Sequence, residues 1–120
     1  MTDKTTDRPD ALPSDRASTL TALIEVASGA IVSRVLAKSA GGNVTLFAFD
    51  RGQGLSEHTA PFDALVQVVD GSLDLMIGGT EVSVSGGEIV RMPAGVPHAL
   101  TASEPAKMLL TMLRDKMGDE

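Results

Sequence analysis

The sequence has no cysteine, no tryptophan, no tyrosine and only three phenylalanines among 120 residues. Without cysteine there are no disulfides, no thiolate metal sites and no cysteine nucleophile, which suits a cytoplasmic location. With so few aromatics, stacking platforms for nucleobases or sugars are nearly excluded. Positive charge is also scarce: 10 Lys and Arg stand against 16 Asp and Glu, a net charge of -6. No Lys/Arg cluster offsets that total, so neither nucleic acid nor an anionic membrane is an expected partner. No apolar run approaches the ~20 residues of a membrane-spanning helix. The first residues lack the apolar core of a secretory signal. The Ser and Thr residues have no His and carboxylate at a recognisable spacing, so a nucleophilic triad has no support.

The length fits one domain, and the 42% hydrophobic content is ordinary for a globular chain. Met1 to Ser18 holds seven charged residues, Pro9 and Pro13. It is expected to be a mobile tail, with the folded domain over residues 19–114 and a short second tail over 115–120. Leu20 to Ala27 is ambiguous between a short helix and an irregular strand. Ala30 to Lys38, Val44 to Asp50, Ala64 to Val69 and Ile89 to Met92 are strands rich in β-branched and other apolar residues. Val44, Leu46 and Ala48 belong to one face, and Thr45, Phe47 and Phe49 to the other. Leu73 to Ile77 and Glu81 to Ser85 form a hairpin about Gly78-Gly79. Ala106 to Leu113 has helix-forming residues, but among so many strands it is expected to close the sheet. Short strands separated by Gly-, Asp- and Pro-containing turns predict an all-β antiparallel sandwich or barrel.

One stretch is more specific, Gly86 to Ala102, G-G-E-I-V-R-M-P-A-G-V-P-H-A-L-T-A. Pro93, Gly95 and Pro97 encode a tight turn that delivers His98 at the start of an apolar run. Gly87, Pro93, Gly95 and His98 match G-x5-P-x-G-x2-H-x3-N, the second motif of the cupin superfamily, with Ala102 in place of the final Asn. The first cupin motif, G-x5-H-x-H-x3-4-E-x6-G, is matched in part, by Gly52, His58 and Gly71. Ala60 stands at the second His position and Ala64 at the Glu position. The chain from Leu20 to Leu113 therefore resembles a small stand-alone bacterial cupin of the RmlC-like kind. The resemblance implies a single-domain jelly-roll barrel, also called a double-stranded β-helix.

Cupins with the complete pattern hold a divalent metal by three His and one Glu. The resemblance makes His58 and His98 pocket residues here and leaves two ligand positions as Ala. A metal (Fe, Mn, Ni or Zn) would need a substitute carboxylate, and Asp63 and Glu57 are the candidates. Asp63 is one residue from the family's Glu position, so a regular strand turns it to the other face unless a bulge near Pro61 restores its aim. Glu57 faces away from His58 for the same reason. Ligand-binding candidates at the barrel mouth are His58, His98, Ala60, Ala64 and Gln67, although Gln67 also suits the outer face. Arg91 is expected on the outer face beside a carboxylate. The methionines are expected as core filler and adaptable pocket wall.

Three functions follow as expectations. The first is a barrel that binds a small molecule without catalysis or with little. The second is a metal-dependent oxygenase, isomerase or decarboxylase that uses two His and one carboxylate. The third is a dimeric sensor or regulatory barrel. A homodimer is expected, joined through the Ala30 to Lys38 strand.

Overall fold

The computed structural model describes residues 11–114. Residues 1–10 of the expected N-terminal tail (1–18), and the expected tail at 115–120, lie outside the described residues. Nine strands follow one short 3-10 turn at Leu20–Ala22. They are β1 (Ile31–Ser39), β2 (Gly42–Phe49), β3 (Gly54–His58), β4 (Asp63–Asp70), β5 (Ser72–Ile77), β6 (Thr80–Ser85), β7 (Ile89–Met92), β8 (His98–Thr101) and β9 (Ala106–Leu113). All pairings are antiparallel. One sheet runs β1-β2-β9-β4-β7 and the other β3-β8-β5-β6. The all-β jelly-roll architecture is the one expected. No helix among the described residues is long and apolar enough to cross a membrane.

Alternation within the strands decides what is buried. Phe49, Val66, Val68, Leu73, Leu75, Leu100 and Met108 point between the sheets and form the main core. Leu46 and Ala48 point the other way, into a second cluster with Ile24 and Leu36. The two faces read from β2 are thus separated as the alternation requires. Burying apolar surface on both sides of β2 contributes roughly 25 cal/mol per Å² removed from water. Met108 packs in the core as expected of a filler residue.

The second cluster resolves the ambiguous N-terminal segment. Leu20, Leu23, Ile24 and Val26 cover the outer face of the five-stranded sheet. Backbone carbonyls hold the segment there: Arg34 donates to Leu23 O at 3.0 Å and Lys107 Nζ to Thr21 O at 2.7 Å. A single 3-10 turn, not a helix or strand, places these side chains. Part of the expected tail is also anchored, since the Leu12 N–H donates to Leu36 O at 3.0 Å. Pairing with β2 on one side and β4 on the other fixes Ala106–Leu113 as a strand at the centre of the sheet despite its helix-forming residues.

The hairpin between β5 and β6 has Ile77 opposite Thr80 and positive φ at both Gly78 and Gly79. Two consecutive positive φ values are what a type I′ turn demands, and glycine adopts them without a Cβ penalty. Asp50 secures the other end of the barrel. Its carboxylate accepts the Gly29 N–H at 2.6 Å and the Arg51 N–H at 2.8 Å. The bond from Gly29, then that from Arg51, holds the Asp50 carboxyl below the ordinary carboxylate value. A pKa lowered on folding stabilises the fold above the unfolded value of 3.8 and stops doing so as pH falls through the folded value. Asp50→Asn should therefore lower the melting temperature by a few degrees near neutrality and by less in strong acid. A thermal melt series against pH reads this, and a difference that grows on acidification would refute it.

Candidate functional site

The Pro93–His98 turn is rigid because three neighbouring segments bind it. The Gly95 N–H donates to Ala60 O at 2.8 Å, and the Gly78 N–H donates to Pro97 O at 2.8 Å. The Ala94 N–H donates to Asp63 Oδ1 at 2.8 Å. Gly95 has φ +76, the conformation glycine tolerates best. The turn thereby starts β8 with a buried His98 side chain, only 6% exposed.

His58 reaches the same place by a different device. Gly54 pairs with Thr101 and Leu55 with Leu100, so a regular register would set Glu57 opposite His98. Instead a bulge lies between Leu55 and His58, and His58 pairs with His98. The extra residue reverses the alternation and aims the imidazole inward. The imidazole Nε2 atoms of His58 and His98 are 3.1 Å apart, with the rings edge to face at 4.3 Å between centroids.

Both Nδ1 atoms face backbone carbonyls, that of His58 at 2.8 Å from Ser56 O and that of His98 at 3.2 Å from Val96 O. A carbonyl only accepts, so each Nδ1 carries the proton. A neutral ring with its proton on Nδ1 has a bare Nε2 lone pair. A bond between the two Nε2 atoms requires an additional proton or another electron-pair acceptor.

The pair lines a cavity of about 60 Å³, with His98 buried and His58 exposed. Ala60 and Ala64 line it, together with Leu55, Phe62 and Leu100. Met92, Met108 and Met112 also line it. Among the described residues no other titratable side chain lines the cavity. Four of the five ligand-binding candidates, His58, His98, Ala60 and Ala64, thus share one space.

Gln67 does not join them. It alternates with buried Val66 and Val68 and pairs with Ile89 and Leu109 on the sheet's outer side, which corrects its inclusion among the ligand-binding residues. Asp63 as a metal ligand is corrected likewise. Its carboxylate caps the turn at Ala94 and meets Arg91 at 3.3 Å, outside the cavity. No bulge near Pro61 turns it inward; β4 pairs regularly from Asp63 to Val68. Arg91 thus lies on the outer face beside a carboxylate, as expected. The signal missed in the sequence is the bulge of β3, which serves His58.

A family model for the cupin domain matches residues 45–112. The chain belongs to the cupin family. Its barrel superposes on a conserved Streptococcus pyogenes protein of unknown function with TM-score 0.84 and 30% identity, over 88% of this chain and 92% of the other. A cupin superfamily protein from Desulfitobacterium hafniense gives TM-score 0.84 and 28% identity, over 91% of this chain and all (100%) of the other. A cupin 2 conserved barrel protein from Leptotrichia buccalis is 36% identical, with TM-score 0.75, over 78% of this chain and 46% of that one. Among curated proteins no match was found.

The divalent metal of complete cupins does not fit these residues. Among the described residues no three His, Cys, Asp or Glu side chains converge on a point. Two imidazoles without a carboxylate are too few for Fe, Mn, Ni or Zn, which take three protein ligands or more in catalytic sites.

Proposed function

We propose that this cupin is a small-molecule-binding barrel without catalysis or with little, whose ligand enters at the mouth and sets its polar end against His58 and His98. The observation that carries this reading is the cavity itself: a mostly apolar space lined by one imidazole pair. Such a combination, mostly apolar wall with a few convergent polar groups, is the usual form of a ligand site. Ala60 and Ala64 keep the space beside the imidazoles clear. At about 60 Å³ the cavity suits a ligand of a few heavy atoms, or a larger one that extends past the half-exposed Leu55, Phe62 and Met112.

A fragment screen by NMR and thermal shift tests the reading. Binders should raise the melting temperature and perturb His58 and His98 together. His98→Ala should remove that binding while costing the fold only about 1 kcal/mol. The protein as purified should carry less than one equivalent of Fe, Mn, Ni or Zn per chain, and a full equivalent would sink the reading in favour of a metal enzyme.

The homodimer is proposed through β1. It is an edge strand of the larger sheet, and Ile31 on it is exposed. An edge strand with an exposed apolar side chain invites pairing with a second copy. Sedimentation showing a monomer at micromolar concentration would count against it.

A further inference from the structure

The methionines around the imidazole pair have a chemistry that the binding reading leaves unused. On the inner face of the larger sheet, Ala64 of β4 stands in register with Met92 of β7 on one side and Met112 of β9 on the other. All three side chains line the cavity that holds both imidazoles. The donors gathered there are therefore two imidazole nitrogens and thioether sulfurs, with no carboxylate.

We infer that His58 Nε2 and His98 Nε2, with the thioethers of Met92 and Met112, form a site for a soft monovalent metal ion, Cu(I). Three observations converge on it. Nδ1 protons donated to Ser56 O and Val96 O leave both Nε2 lone pairs available, 3.1 Å apart on rings set edge to face. Their 3.1 Å separation subtends about 100° at an ion bound at the usual ~2.0 Å from each nitrogen. That bend rules out a linear two-nitrogen complex and leaves coordination positions open, which flanking thioethers can fill. Softness then selects the ion: thioether with imidazole favours Cu(I), whereas Mg, Ca and Mn require oxygen donors. The inference shares its cavity with the small-molecule reading and does not depend on it.

Anaerobic titration of the metal-free protein with Cu(I), in competition with a chromophoric Cu(I) chelator, tests the site, with X-ray absorption on the loaded protein. The expected result is one Cu(I) per chain with nitrogen and sulfur neighbours. Met92→Leu/Met112→Leu should lose the sulfur neighbours and weaken binding about 10- to 100-fold. Leu is close to Met in volume, so that variant should keep its fold. The single Met112→Leu serves if the double variant does not. Met76→Leu, on the exposed outer side of β5, should change nothing. His98→Ala should abolish stoichiometric binding. Failure to retain Cu(I), or sulfur neighbours that survive the double variant, would overturn the inference. The fragment screen reads the organic-ligand proposal separately, so either can fail alone.

Discussion

Ala64→Glu should convert the cavity into a divalent metal site, raising affinity for Zn(II) on the order of 100-fold or more. Ala64 is 5% exposed and shares the cavity with His58 and His98. A carboxylate there would complete a two-histidine, one-carboxylate set, and the cavity of about 60 Å³ has room for much of the added side chain. Without metal, the new carboxylate would be buried and unpaired, so the metal-free variant should melt lower than the parent. Zn(II) should restore the loss by binding only the folded state. Asp63→Glu is the matched control. Its carboxylate belongs to the turn at Ala94 and to Arg91, so lengthening it should add no metal binding. Calorimetric titration of both variants decides the matter: equal affinities, or no gain in Ala64→Glu, would mean that Ala64 does not face the imidazoles.

Phe49→Ala should cost about 3–5 kcal/mol, the largest stability loss expected of a single truncation here. Phe49 is fully buried in the main core, the largest side chain so placed, and stacks on Phe47 with ring centroids 5.9 Å apart. Its removal leaves a void between the two sheets that the rigid strands on either side cannot close. The melting temperature should fall by roughly 12 °C or more. Ile89→Ala truncates a large apolar side chain that is 58% exposed and should stay within about 0.5 kcal/mol. Similar melts for the two variants would contradict the assignment of the core.

These two predictions also show what was legible in the sequence. Strands were readable because period-2 alternation and Gly, Asp and Pro turns are local signals. The separation of Leu46 and Ala48 from Phe47 and Phe49 needs nothing else. The Pro93–His98 turn was readable because its φ requirements are written in its residue types. Asp63 and Gln67 were harder, although strand parity already placed both away from Ala64. What was not readable is the bulge of β3. Nothing in Gly54-Leu55-Ser56-Glu57-His58 announces an extra residue; the register is set by pairing with β8, distant in sequence. Nor did Leu20 to Ala27 declare itself. Its form depends on the apolar outer face of β2 and on donors from Arg34 and Lys107, none of them local.

The candidate site therefore rests on two histidines brought together by one turn and one bulge, in a cavity that no carboxylate lines among the described residues. Long-range 1H–15N correlation spectra of the imidazole nitrogens test that arrangement most directly. In alkaline buffer both rings should carry the proton on Nδ1 and leave Nε2 bare, as the carbonyls of Ser56 and Val96 require. Any occupant of the cavity, organic molecule or ion, should then shift the Nε2 signals of His58 and His98 together. Rings protonated on Nε2, or a bound ligand that moves neither signal, would contradict the site.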